Sequence, residues 1–86
     1  MWNDRIRIAQ RVELDWQLLS KQDREIARRA LERIDDDPIA GAPLFFPFRG
    51  LWSYLAEERV RILYRIFPEA RFIVVSKIEP WGEARK

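Results

Sequence analysis

Three short segments between Arg49 and Val75 limit the folds open to this chain. Leu51, Trp52, Tyr54 and Leu55 form the first, Val60, Ile62, Tyr64 and Ile66 the second, and Phe72–Val75 the third. Aromatic and β-branched residues dominate them, and the joints Ala56-Glu57-Glu58-Arg59 and Phe67-Pro68-Glu69-Ala70-Arg71 are short enough for hairpins. Their alternation is the period of a strand, and no helical stripe fits as well. The run therefore reads as three consecutive strands of one antiparallel sheet. Period two also sorts the side chains: Ile62 and Tyr64 share one face, while Arg59, Arg61, Leu63 and Arg65 share the other. The apolar face needs a cover, and the opposite face is basic.

The residues upstream supply the cover. Arg5-Ile6-Arg7-Ile8 alternates and reads as a short, rather polar edge strand. Gln10–Leu19 places Val12, Trp16 and Leu19 at helical spacing, and Glu13, Asp15 and Gln17 are poor strand residues. Asp23 is a good N-cap for a second helix, on which Ile26, Ala27, Ala30, Leu31 and Ile34 form one apolar stripe. Asp35-Asp36-Asp37-Pro38 ends it, because proline disfavours helical geometry in the residue before it. Neither stripe can be buried by its partner alone, so the two helices, as an αα-hairpin, should cover the sheet. The expected class is α+β, in the order β-α-α-β-β-β, as one domain over residues 1–86. Ile39–Phe48, with its prolines and phenylalanines, reads as an irregular connection that packs at the core rim or touches a partner. Pro80 and Gly82 argue against a long further element, so residues 79–86 are expected to form a flexible tail.

Composition removes several chemistries. The 86 residues include no cysteine and no histidine, which excludes disulfides, thiolate nucleophiles and the usual zinc ligands, and leaves no neutral-pH imidazole base. Ser53 and Ser76 have no histidine to activate them. Three glycines cannot build a phosphate-cradling loop of the familiar kind. The triplet Asp35–Asp37 lacks calcium-loop spacing, so no metal and no cofactor are expected. No apolar run matches a membrane span and no signal peptide is visible, so a cytoplasmic location without membrane association is expected. The net charge is only +2, but residues 1–38 carry 8 basic and 9 acidic side chains and residues 39–86 carry 8 and 5. The positive excess thus lies in the proposed sheet and tail, and an anionic partner fits that side.

Arginines on adjacent strands suit phosphate, since the planar guanidinium donates two parallel hydrogen bonds and stays charged. If the chemistry were RNA cleavage by the neighbouring 2′-hydroxyl, three tasks arise: accepting the hydroxyl proton, stabilising the phosphorane and protonating the leaving oxygen. Arg61 and Arg49 are candidate phosphate clamps, and Lys77 is a candidate proton donor or added charge. Arg59 and Arg65 extend the basic face, and Tyr54, Tyr64, Trp52 and Trp81 are candidate stacking platforms for bases. Glu57, Glu58 and Glu83 are the carboxylates considered for the base. Tyr64, on the face of Ile62, reads as core.

Three stretches carry a resemblance. RIRIAQRVELDWQLLSK, the helix ending in ERIDDDP, and GLWSYLAEERVRILYRI (Gly50–Ile66) together resemble the RelE/ParE toxin superfamily, from Arg5 to about Lys77 and nearest its YoeB-like branch. The last stretch is the most specific and is similar to the family's Gly-x-Trp-Ser strand, turn and Arg-x-x-Tyr strand. The resemblance implies a RelE-like fold and a toxin of a type II toxin–antitoxin pair. It implies that Arg61 is the arginine that holds the scissile phosphate of messenger RNA on the ribosome, with Tyr64 as the motif tyrosine. Arg49 matches the basic position before Gly-x-Trp. The chain departs from the branch at Ala42, where a glutamate precedes the proline–leucine pair, at Leu55, where an arginine is frequent, and in lacking the terminal histidine–tyrosine pair. Lys77 lies near the histidine position, and Trp81 stands roughly where the terminal aromatic would.

The resemblance further implies a ribosome-dependent messenger RNA endoribonuclease that needs no metal, with Arg61, Arg49 and Lys77 in the catalytic roles. Its partners would be the ribosome, messenger RNA and a cognate antitoxin contacting Phe45, Phe46 and Arg28, with operator DNA reached only through the antitoxin. The missing glutamate and histidine keep two alternatives open. One is a ParE-like gyrase inhibitor without nuclease activity, and the other a degenerate relative that only binds its antitoxin.

Overall fold

The computed structural model describes residues 5–45, 47 and 49–82. The elements are β1 (Ile6–Ile8), α1 (Val12–Leu18), α2 (Lys21–Asp36), a 3-10 turn (Pro38–Ala40), β2 (Ala42–Pro43), β3 (Trp52–Ala56), β4 (Val60–Phe67) and β5 (Phe72–Pro80). One sheet runs in the order β1-β5-β4-β3-β2. β1 lies parallel to β5 and every other pair is antiparallel. The α+β architecture of an N-terminal strand and αα-hairpin against a mostly antiparallel sheet is as expected. Two elements differ. Ile39–Phe48 contains the 3-10 turn and the two-residue strand β2, which pairs Ala42 with Ser53 and Pro43 with Trp52. β5 runs past Val75 to Pro80, so the flexible tail expected from residue 79 is corrected at Glu79 and Pro80, which pair with Arg61 and Val60.

One face of the sheet is buried under the helices. Val60, Ile62 and Tyr64 of β4 and Ile73, Val75 and Ile78 of β5 meet Ile26, Ala27, Ala30, Leu31 and Ile34 of α2. Val12 and Leu19 bring in the first helix, and Ile6 brings in β1. At about 25 cal/mol per Å2 of apolar surface removed from water, each such Ile, Leu or Val contributes roughly 1.5–3 kcal/mol, which fixes the helices to this face.

The start of α2 corrects the expected cap. Ser20, not Asp23, is the N-cap: its backbone is extended and its hydroxyl accepts from the Asp23 N–H at 3.1 Å. The Asp23 carboxylate is thereby left for another task. It is buried and accepts from Nε of Arg59 at 2.9 Å, tying the first turn of α2 to the β3–β4 hairpin. Arg24 closes the helix joint by donating to the carbonyls of Trp16 and Gln17 at 3.0 and 2.9 Å, groups at the end of α1.

Tyr64 pins the connection before β2. Its hydroxyl donates to the Pro38 carbonyl at 2.6 Å and accepts from the Gly41 N–H at 3.2 Å. A Cβ at position 41 would stand 2.6 Å from that hydroxyl and 2.7 Å from the Ser53 carbonyl oxygen, so glycine is required by the close approach. Burial raises the phenol above its ordinary value of 10.0, against the lowering effect of the Gly41 N–H.

Two outcomes are expected. Arg59→Met strands a buried carboxylate and should cost about 3 kcal/mol, whereas Asp23→Asn leaves an arginine that reaches water and should cost about 1 kcal/mol; urea melts measure both. The folded state favours protonated Tyr64, so its contribution is complete below about pH 10 and declines as pH rises through the raised value. Tyr64→Phe should lower stability at neutral pH by about 1–2 kcal/mol and flatten the loss above pH 10 in melts taken across that range.

Candidate functional site

The face opposite the helices is open. Its strand positions are Arg7 of β1, Arg61, Leu63, Arg65 and Phe67 of β4, Ser53 and Leu55 of β3, and Phe72, Val74, Lys77 and Glu79 of β5, as cross-strand pairing requires. Leu55 and Phe67 are 45% and 41% exposed, which marks this face as uncovered. Four cations and one carboxylate stand on it. The arrangement depends on a bulge. Tyr64 pairs with Val75 and Leu63 with Lys77, so Ser76 is an extra residue in β5. Ile73 and Val75 point into the core before it, and Ile78 does so after it. Without the extra residue, Lys77 and Glu79 would fall on the core side with Ile73 and Val75.

Arg61 is held on two sides. Nε donates to Oε2 of Glu79 at 2.6 Å, and Nη2 also contacts that oxygen. The guanidinium lies over the Trp81 ring, 4.3 Å from its centroid. Trp81 is itself anchored where its N–H donates to the Arg59 carbonyl at 2.8 Å, one step past Pro80. The pair is partly sheltered, with 27% of the Arg61 side chain and 19% of the Glu79 side chain exposed. Among the described residues nothing hydrogen-bonds to Nη1, so the outer edge of the guanidinium remains for a ligand. Sequence reasoning missed Glu79 because the parity of β5 past Val75 depends on a bulge that no residue pattern announces.

Lys77 sits beside this pair, at the edge of β5. β1 covers that edge only as far as Val75, where Ala9 N–H donates to the Val75 carbonyl at 3.1 Å. Beyond it α1 takes over. Arg11 Nε donates to the Ser76 carbonyl and the Ile78 N–H donates to Oδ2 of Asp15, both at 3.2 Å. Two side chains one helical turn apart thus satisfy a strand edge that would otherwise be bare. The Lys77 ammonium is 3.8 Å from the same Asp15, which limits its swing without covering it.

The other expected residues divide. Arg65 lies on the open face at the far end of β4, donating weakly to the Arg49 carbonyl at 3.5 Å and passing over Gly50. The strand rise puts the Cα atoms of Arg61 and Arg65 ~13 Å apart, so Arg65, set against the Arg49 backbone, is a second basic point separate from the Arg61 site. Arg59 is corrected: it precedes β4 and turns to Asp23 on the helix side. Trp52 is likewise on the core side, stacked on Tyr64 at 6.4 Å between ring centroids and packed against the core. Phe45 is exposed, and Phe46 lies outside the described residues. Arg28 is engaged on the outer face of α2 by Glu25 and Glu32, and its hydrogen bond holds the Glu25 carboxyl below its ordinary value. Of the carboxylates considered as a base, Glu57 pairs with Arg29 at 3.3 Å, Glu58 belongs to the β3–β4 turn, and Glu83 is outside the described residues. No group of acids among the described residues has the arrangement of a metal site. A cavity of about 390 Å3 lined by Arg5, Ile66, Phe67, Arg71 and Phe72 lies at the opposite end of β4 and β5 from Arg61.

The open face can therefore bind an extended polyanion at two separated points and present an oriented cation, a carboxylate and an ammonium at one of them. The fold itself is shared with known structures. A chain of the RelBE2 toxin–antitoxin complex from Mycobacterium tuberculosis superposes with a TM-score of 0.80 at 21% identity, covering 87% of this chain and 94% of that one. The isolated E. coli RelE toxin gives 0.74 at 16%, covering 91% and 84%. A chain of the archaeal RelE–RelB complex from Pyrococcus horikoshii OT3 gives 0.67 at 19%, covering 93% and 97%. No family model and no curated protein sequence matches the chain. At these identities what is shared is the RelE-like fold.

The bulge makes a sharp expectation. Deleting Ser76 leaves Lys77 opposite Leu63 and Ile78 in the core, so the variant should keep a cooperative thermal transition. Deleting Ile78 would turn Glu79 inward and should abolish that transition, as followed by circular dichroism.

Proposed function

We propose that this RelE-fold chain is the toxin of a type II toxin–antitoxin pair and a ribosome-dependent messenger RNA endoribonuclease that cleaves through the 2′-hydroxyl. The observation that carries the reading is Arg61, oriented by Glu79 and Trp81 on the open face, with no hydrogen bond to Nη1 from the described residues. That edge suits the two oxygens of a scissile phosphate, and a fixed guanidinium stabilises the phosphorane without reorganising. Lys77, two residues along β5 from Glu79, supplies the proton for the leaving oxygen or further positive charge. Arg49 and Arg65 hold the backbone of the same RNA strand farther along, and Trp81 offers the aromatic surface beside the phosphate site.

Solved structures with this fold include complexes described as toxin with antitoxin, which supports an antitoxin as the protein partner. The exposed Phe45 and the outer face of α2 around Arg28 are contacts it would cover, and operator DNA would be reached through it. No helix among the described residues is long and apolar enough to cross a membrane, and ribosomes place the activity in the cytoplasm. A second reading, a ParE-like gyrase inhibitor, draws on the same Arg61–Glu79 pair, since a carboxylate on the arginine offsets its charge.

The test is induction of the chain alone in bacteria, with mapping of messenger RNA 5′ ends. The expected result is new cuts within translated reading frames, absent with Arg61→Ala. That variant should stay folded, because a partly exposed strand arginine adds little core packing. Growth arrest without cuts would instead support the gyrase reading, and no arrest a relative that only binds its antitoxin.

A further inference from the structure

Cleavage through the 2′-hydroxyl needs a proton acceptor, and neither Arg61 nor Lys77 can serve as one while charged. The chain has no histidine. Most carboxylates near the sheet have other duties: Asp15 holds the Ile78 N–H, Asp23 is buried on Arg59, and Glu57 meets Arg29 away from the open face. Among the strand residues described, Glu79 is the one carboxylate that shares the open face with Arg61 and Lys77. It touches Arg61 through Oε2, and its other oxygen, Oε1, accepts no hydrogen bond from the described residues.

We propose that Glu79 is the general base of the reaction and also the residue that orients Arg61, an inference that rests on the endoribonuclease reading. The geometry of the guanidinium carries it. Glu79 takes the Nε–Nη2 edge, and a phosphate takes the adjoining Nη1–Nη2 edge. Two anions on neighbouring edges of one planar cation lie side by side. The ribose 2′-oxygen, attached next to the 3′-oxygen of that phosphate, then falls between the phosphorus and Glu79. Trp81 under the guanidinium keeps the plane from turning as the substrate enters.

The step balances. The 2′-hydroxyl proton passes to Oε1 of Glu79 as the 2′-oxygen bonds to phosphorus. The bond from phosphorus to the 5′-oxygen breaks, and that oxygen takes a proton from the Lys77 ammonium. A 2′,3′-cyclic phosphate and a 5′-hydroxyl result. Glu79 is left neutral and Lys77 uncharged, and exchange with water restores both. Arg61 carries the extra phosphorane charge throughout.

The experiment compares wild type, Arg61→Ala, Glu79→Gln and Glu79→Asp on messenger RNA in programmed ribosomes, with single-turnover rates across pH, ribosome co-sedimentation and thermal melts. Glu79→Gln keeps the volume and an oxygen for Arg61, so melting and co-sedimentation should hold. Its cleavage rate should fall about 10²–10⁴-fold, the usual contribution of a general base, and the acid limb of the pH–rate profile should disappear. Glu79→Asp should recover part of the rate and keep that limb. Cleavage by Glu79→Gln at the wild-type rate would overturn the inference and leave the nuclease reading standing. Tighter ribosome binding with faster cleavage would also overturn it, showing Glu79 as a competitor for Arg61. A slowed Glu79→Gln that retains the acid limb would remove the base role. No cleavage by wild type would end the nuclease reading and the inference together.

Discussion

A strand buries every second residue, and this constraint, applied through the pairing of β4 with β5, organises the molecule. These two central strands supply most of the buried sheet residues. The helices have one face to cover, and every side chain of the alternate parity is left on the other. β1 and β2 add edges to this pair, and α1 completes the part of β5 that β1 does not reach. The extra residue at Ser76 is the one place where the β4–β5 parity changes, and the candidate site is built on the far side of it.

Electrostatics then divides the arginines by what each can reach. Arg59 is drawn to a buried carboxylate and becomes a structural tie between α2 and the sheet. Arg61, two residues on, meets a carboxylate as well, but on the open face and with an aromatic ring beneath it. The first pair holds elements together, since losing its arginine leaves a charge with no water to solvate it. The second leaves one guanidinium edge without a hydrogen bond among the described residues. Neighbouring residues of one type thus take different roles because the strand alternates and because their acidic partners come from different layers.

Much of the fold was legible. The segments Leu51–Leu55, Val60–Ile66 and Phe72–Val75 announced strands by their alternation, and Ile26–Ile34 announced the buried face of α2. The open-face positions of Arg61, Leu63 and Arg65 followed from period two alone. Ser20 was overlooked as the cap because Asp23 is an equally good capping residue, and only the burial of its carboxylate with Arg59 decides between them. The site was less legible. Arg61 and Lys77 were identified and do share a face. Arg49 was grouped with them, and its backbone carbonyl meets Arg65 at the far end of β4, while Trp52 has the parity of Tyr64.

The sequence by itself determined the class of fold, the buried stripe of each helix and strand, and the basic character of one face, because these depend on local periodicity and composition. It could not determine which carboxylate meets Arg61. Glu79 is eighteen residues away along the chain, and the two are brought together by a hairpin register and one extra residue in β5. Register is set by the sum of packing across the sheet, which no local pattern encodes. The tertiary structure therefore decided which side chains the candidate site brings together, while the sequence decided the surface on which it stands.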